Sequence, residues 1–417
     1  METFIRWRGE RSQTAWRREP ETHFGRRIVR NRSALLVLLA FSLIPSAYSD
    51  PQQKPKLSQP RQLDQAISWQ RDSATGEIHA IPRSGTETEK RPAAANTDSI
   101  RIVTQMVPLT CRVYATDGTA VPGLERANFH VYDNGVEQKI SYFDASSSPA
   151  SIALVIDASP SVLRDSDEMK KAAVALVDAL APLDQAAVVD FSAHTYVQLP
   201  FSDVRELLRR AVARIDVRQL LSDTGGSNIY EAIYLTAHEL FAGRSGRKAI
   251  VLLTDGQDSG LDLKLDAASA SPQPGKSAHR LTFDDVSRIL TGEDIQLFVV
   301  STENRPKTMT PEWVEAHRGA TLISPDSRRL GIPPYTLYLA EMVRRTGGEL
   351  DFLRESSTMA DAFRSIARKI RVEYTLGYYP TSDSGADTPS RHELKVEVEG
   401  PANVSVIHRA SYYVAAR

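Results

Sequence analysis

The stretch Ile152-Ala153-Leu154-Val155-Ile156-Asp157-Ala158-Ser159-Pro160-Ser161 decides how this chain is read. Its five leading apolar residues form the kind of continuous run expected of a strand buried on both faces of a parallel sheet. The run stops at an aspartate, and two serines follow at alternate positions. Just past the carboxyl end of a strand, Asp157, Ser159 and Ser161 can turn toward one point. They offer a carboxylate and two hydroxyl oxygens, hard donors that suit Mg²⁺. Taken alone, the same residues also read as a serine-rich turn leading into a helix.

Two further segments weigh against that simpler reading. Thr224-Gly225-Gly226-Ser227-Asn228-Ile229-Tyr230 precedes a helical pattern, and its glycines let the backbone come close to a ligand. Ala249-Ile250-Val251-Leu252-Leu253-Thr254-Asp255-Gly256 is a second buried-strand run ending in aspartate. Adjacent parallel strands would bring Asp157 and Asp255 to the same edge of the sheet.

The surrounding rhythm is that of an α/β domain. Met169–Ala181, Val204–Ile215, Ile229–Phe241, Phe283–Leu290, Tyr335–Thr346 and Met359–Ile370 have helical spacing. Between them lie strand-like runs at Ala186–Phe191, Tyr196–Leu199, Gln296–Val300 and Leu350–Phe352. Pro182 closes the first helix and Gly347-Gly348 the fifth. Strands alternating with helices predict a doubly wound, mostly parallel sheet over 149–370. Asp258–Arg280 and Glu303–Pro334 read as insertions following sheet strands, on the side where such sheets bind ligands. Trp313 and Pro333-Pro334-Tyr335 could rim a partner site, or simply pack within a long loop.

Outside this region the pattern is β. Ile100–Val107, Thr110–Tyr114, Phe129–Tyr132 and Gln138–Phe143 read as strands, with a turn at Asp117-Gly118 and a hairpin turn at Asp133-Asn134-Gly135. After Arg371, strands are expected at Val372–Tyr379, Glu393–Val398 and Val404–Arg409. The N-terminal unit (99–148) and the C-terminal strands (371–417) are expected to pair into one small β-sandwich, with the α/β domain inserted between its halves.

The first hundred residues carry different signals. Met1–Arg32 is arginine-rich, Ala34–Ile44 is apolar, and small residues follow at Ala47 and Ser49. This order matches a secretory signal over 1–49, cleaved before Asp50 or kept as an anchor. The apolar run is shorter than the roughly 20 residues a membrane span needs. Residues 50–98, rich in Pro, Gln, Ser and Thr, are expected to be a disordered linker.

The 417 residues are 41% hydrophobic and 25% charged, with a net charge of -1, which gives no broad basic field for nucleic acid. Cys111 is the single cysteine, so neither an internal disulfide nor a cysteine-based zinc site is available. It reads as a small apolar residue in a strand.

With these residues in view, the chain resembles the von Willebrand factor type A family and its metal-ion-dependent adhesion site. The family pattern is Asp-x-Ser-x-Ser, a threonine in a later loop and an aspartate after a later strand. Asp157, Ser159, Ser161 and Asp255 match it; Ser227 stands where threonine is usual, with Thr224 as the fallback. The resemblance implies a Rossmann-like type A domain holding Mg²⁺, or Mn²⁺ or Ca²⁺, through Asp157, Ser159, Ser161, Ser227 and Asp255. It also implies an open coordination position for an Asp or Glu side chain of a protein partner. The wider layout, with Val131-Tyr132-Asp133-Asn134-Gly135 before the domain and Leu376-Gly377-Tyr378-Tyr379-Pro380 after it, resembles the exported "VWFA-related" proteins of Acidobacteria.

The functional expectation is an exported, non-enzymatic binding module, periplasmic, envelope-associated or extracellular, touching membrane only through a possible N-terminal anchor. One alternative is an assembly or scaffold subunit of an envelope complex. A remoter one is a phosphoryl-transfer enzyme with Asp157 as nucleophile, but such enzymes want an aspartate where this chain has Ser159. Gly-x-Ser-x-Gly, the P-loop and Gly-x-Gly-x-x-Gly are all absent.

Overall fold

Strand β8 (Ala150–Asp157) is buried along all eight residues and forms the middle of a seven-stranded sheet. The computed structural model describes residues 56–65, 67–71, 78–82, 106–116, 119–145, 149–216, 227–258, 281–310, 331–352, 359–381 and 390–414, with single positions at 313, 317, 322 and 323. Residues 1–49, the turn at Asp117-Gly118, Thr224 and nearly all of the first insertion lie outside them. No helix among the described residues is long and apolar enough to cross a membrane.

In chain order the strands that precede β8 are β1 (Arg61–Gln62), β2 (Ile67–Arg71), β3 (Ile78–Pro82), β4 (Val107–Tyr114), β5 (Phe129–Asp133), β6 (Val136–Gln138) and β7 (Ile140–Asp144). Those that follow are β9 (Gln185–Phe191), β10 (Thr195–Ser202), β11 (Arg247–Thr254), β12 (Ile295–Ser301), β13 (Glu349–Phe352), β14 (Tyr374–Tyr378), β15 (Ser390–Val398), β16 (Ser405–His408) and β17 (Ser411–Val414). The large sheet has the order β1-β10-β9-β8-β11-β12-β13. The five strands β9, β8, β11, β12 and β13 run parallel, and β10 and β1 are antiparallel additions at one edge.

Helices cover both faces, as the apolar runs require. Ile152, Leu154 and Ile156 of β8 point into a core shared with α1 (Ser166–Ala179), α2 (Arg205–Arg214) and α6 (Met359–Arg371). Ala153 and Val155 point the other way, into a core shared with α3 (Ile229–Leu240), α4 (Phe283–Gly292) and α5 (Pro334–Thr346). This is the doubly wound, mostly parallel arrangement expected. Within the second insertion, Met309, Leu322 and Ile332 form a small core with Leu337 and Phe352, and Trp313 packs against it while stacking on His317 at 4.1 Å. Trp313 therefore serves local packing.

The flanking strands make two four-stranded sheets, β16-β4-β14-β7 and β17-β15-β5-β6. Each mixes strands that precede β8 with strands that follow β13, so the α/β domain from β8 onward is an insert in one sandwich. Leu109, Phe129, Val131, Leu376 and Tyr378 fill the space between the sheets. The turn Asn134-Gly135 has positive φ at both positions, 50° and 80°, the geometry that suits a two-residue hairpin.

Three expectations need correction. Gln138–Phe143 is two strands rather than one: β6 ends at Gln138 and β7 joins the opposite sheet, because the chain crosses between layers at Lys139. A further strand, β17, follows Val404–Arg409. The linker expected over 50–98 contains structure: β1 pairs with β10, and β2 and β3 form a hairpin. Edge pairing uses backbone groups and so asks little of composition, while Leu63 (1% exposed) and Trp69 supply the apolar anchors.

Candidate metal centre

The carboxyl ends of β8 and β11 lie side by side, since Ile156 of one is paired with Leu253 of the other. Asp157 and Asp255 therefore emerge at the same edge, as the two strand runs implied. Asp157 is fully buried and Asp255 is 5% exposed. Among the described residues, neither has a cationic partner.

Neutral donors hold Asp157 in place. The Ser159 amide donates to Asp157 Oδ1 at 2.9 Å. The Thr254 hydroxyl donates to Oδ2 at 2.6 Å, and the Ser227 hydroxyl reaches the same oxygen at 3.5 Å. Burial pushes the Asp157 carboxyl up to about 6, opposed by hydrogen bonds from Ser159 and Thr254 and reinforced by the negative charge of Asp255. Ser159 Oγ and Ser161 Oγ are 3.0 Å apart, Ser159 being buried and Ser161 exposed at the mouth. The five residues named from sequence thus come from three loops that meet at one end of the sheet.

The loops are braced from behind. Asp255 Oδ1 accepts from the Gln257 amide at 2.9 Å, and the Gly256 amide donates to Thr254 Oγ1 at 3.0 Å. Gly256 has φ +87°, and a Cβ there would sit 3.2 Å from the Tyr335 ring and the Leu339 side chain, so close packing and backbone both favour glycine. Tyr335, flagged as possible rim, is thus a wall behind Asp255, and the charge of Asp255 helps raise its hydroxyl pKa after burial and Glu303.

The Ser227 side is fixed by α3, which starts two residues later. Asp258 Oδ2 accepts from the Ile229 and Tyr230 amides at 2.7 and 3.4 Å, capping the helix. Asn228 donates from its amide to Ser192 O (2.9 Å) and from Nδ2 to Ala193 O (2.8 Å).

The donor set fits a hard divalent cation. Two buried carboxylates without a counter-charge are costly in a low dielectric, and an ion held among oxygens removes that cost. Thr254, Asp258 and Asn228 were not picked out from the sequence. Thr254 could have been, because it directly precedes Asp255 on the buried strand. Asp258 is the first residue of an expected insertion, and nothing in its neighbours marks it as a cap.

Residues 151–308 match the family model of the von Willebrand factor type A domain. This chain carries a von Willebrand factor type A domain. The match includes both strands and all five candidate ligands, and the sandwich lies outside it. No curated protein matches the chain. Solved structures similar to it include an aerotolerance-related membrane protein from Bacteroides fragilis, 18% identical, covering 53% of this chain and 98% of that one, TM-score 0.36. Proximal thread matrix protein 1 from the mussel byssus, solved with a zinc-occupied metal-ion-dependent adhesion site motif, is 16% identical over 56% of this chain and 48% of that one, TM-score 0.37. A von Willebrand factor type A protein from Catenulispora acidiphila is 13% identical over 74% of each chain, TM-score 0.33.

Proposed function

We propose that this type A domain binds a divalent cation, Mg²⁺ in the first instance and Mn²⁺ or Ca²⁺ as substitutes, and uses it to capture a protein partner. Asp157, Ser159, Ser161, Ser227 and Asp255 would hold the ion. The ion would supply positive charge at the mouth of the site, where an Asp or Glu side chain of the partner can complete its coordination. The observation that carries this reading is the convergence, from three loops, of three hydroxyls and two buried carboxylates that have no cationic partner among the described residues.

The reading is of a binding module rather than an enzyme. Among the described residues, the hydrogen-bond partners of Asp157 are hydroxyls and an amide, none of which is a general acid or base. The arginine-rich and apolar segment over 1–49 supports export, with the sandwich and type A domain acting outside the cytoplasm. Identification of the mature N-terminus by mass spectrometry after expression in a bacterial host tests that part.

Calorimetric titration of Mg²⁺, Mn²⁺ and Ca²⁺ into the protein, beside Asp157→Ala and Ser159→Ala, tests the metal. Saturable one-site binding in the wild type, lost in both folded variants, is the expected result. Heats that are the same in wild type and both variants would remove the metal reading and leave an assembly scaffold in its place.

A further inference from the structure

The segment before the sandwich is tied to the same end of the sheet as the metal centre. Leu63 donates its amide to Thr195 O at 2.8 Å, which continues the β1–β10 pairing to the end of the strand. Asp64 then bonds to two groups at the turn between β9 and β10. Its Oδ2 lies 2.6 Å from His194 Nδ1, and its Oδ1 accepts from the Thr195 amide at 3.3 Å. That turn, Ser192–His194, is the one on which Asn228 hangs, and Asn228 is the neighbour of Ser227.

A second route runs through the β2–β3 hairpin. Trp69 donates its indole N–H to Glu231 Oε1 at 3.4 Å and sets its ring edge-on to Tyr234 at 4.9 Å. Both partners are in the first two turns of α3. Beyond it, Arg71 makes a two-point pair with Asp285, at 2.7 and 3.2 Å, and Asp285 is the residue that closes the capping box of α4. The hairpin thus bridges α3 and α4 from outside.

The charges make these contacts matter. Glu231 is half-buried, and Asp64 and Asp258 add negative charge around it; the Trp69 N–H and His194 offset that charge. Without these donors, Glu231 has reason to swing outward and carry the start of α3 with it.

We propose that the N-terminal strap formed by β1 and the β2–β3 hairpin holds the Ser227 side of the metal centre in place, with Asp64 and Trp69 as positioning residues. The proposal rests on the metal-binding reading, but its structural half can be measured without metal. The strap clamps the β9–β10 turn through Asp64 and the first turns of α3 through Trp69, so it adds two supports to the Ser227–Asn228 step beside the Asp258 cap.

The test uses the full chain and three variants: Asp64→Ala, Trp69→Phe, which keeps a ring but loses the N–H, and Arg61→Ala as control. Arg61 belongs to the strap but pairs with Glu239 at the far end of α3, at 3.5 Å. Amide hydrogen exchange of residues 227–234 is followed in metal-free protein, and Mn²⁺ affinity by calorimetry. Asp64→Ala and Trp69→Phe are expected to speed exchange at 227–234 while leaving β8 and β11 protected, and to weaken Mn²⁺ about tenfold, the size of effect seen when ligand supports are removed. Arg61→Ala should change neither. Exchange at 227–234 equal to wild type in both variants would overturn the proposal, and so would faster exchange spread evenly over the sheet. Local loosening in a protein whose wild type takes up no Mn²⁺ would uphold the clamp and remove the metal reading instead.

Discussion

A carboxylate sealed from water must be held by something, and at Asp157 the holders are neutral hydroxyls and one amide. That makes Thr254 the residue to test beside the ligands themselves. Its hydroxyl gives Asp157 Oδ2 the shortest of these bonds, 2.6 Å, and receives the Gly256 amide, so it couples the two aspartate loops. Thr254→Val keeps the shape and removes both interactions. The expected outcome is a fold intact by circular dichroism with Mg²⁺ affinity reduced about 10–100-fold, read by calorimetry. An unchanged affinity would mean that Thr254 serves only the strand. At this scale the sequence was informative where donors follow a strand in a short motif, as with Asp157, Ser159 and Ser161. It was silent on Asp258, whose role as helix cap depends on a loop crossing that no local spacing encodes.

Among the elements, those with a long apolar period were readable and those held by backbone were not. β8, β9, β11 and β12 are buried along nearly their whole length, so their composition had to be apolar. β1 is two residues at a sheet edge and β2 is five residues of a hairpin, too short to show a period above a Pro- and Gln-rich background. The layer change at Lys139 was hidden for a similar reason: β6 is three residues with one buried, and β7 shows no strict alternation, so no period breaks at the crossing. Gly347-Gly348 stops α5 as its composition implies, with φ 70° at Gly347. It is also a contact point between layers. A Cβ at Gly348 would fall 1.7 Å from Leu297 O, and one at Gly347 would fall 2.7 Å from the His408–Arg409 peptide. Because the obstacle is the backbone of β12, a strand paired on both sides, Gly348→Ala is expected to cost about 3 kcal/mol or more in urea unfolding. A loss under about 0.5 kcal/mol, typical of surface changes, would show that the turn into β13 can move away from β12 freely.

In the whole molecule, the sandwich and the type A domain meet over a polar joint at the end of the sheet opposite the metal centre. Arg112 of β4, fully buried, donates from Nη2 to Gly347 O at 2.7 Å and lays its guanidinium 4.7 Å from the centre of the Phe298 ring. Thr110 donates to Asp294 at 2.9 Å, and Arg409 bonds to Thr291 O and Pro108 O. Glu373 stands where the chain leaves α6 for β14. It is 5% exposed, with Arg112 and Arg247 drawing it toward ionisation, Asp294 opposing them, and Gln296 donating a hydrogen bond. Burial outweighs the two arginines and pushes its carboxyl from 4.5 up to about 8. The folded state therefore holds this proton more tightly than the unfolded chain does. The contribution of Glu373 to stability is fullest below about 4.5, falls as pH rises toward about 8, and is flat above that. Glu373→Gln, which copies the protonated form, should match the wild type near about pH 4 and exceed it increasingly up to about pH 8, in denaturant midpoints taken on both proteins. Subtracting the two curves removes the other carboxylates from the comparison. A variant less stable than wild type near about pH 9 would mean instead that Glu373 is ionised in the joint and that Arg112 and Arg247 hold it as a buried ion pair, whose loss is costly.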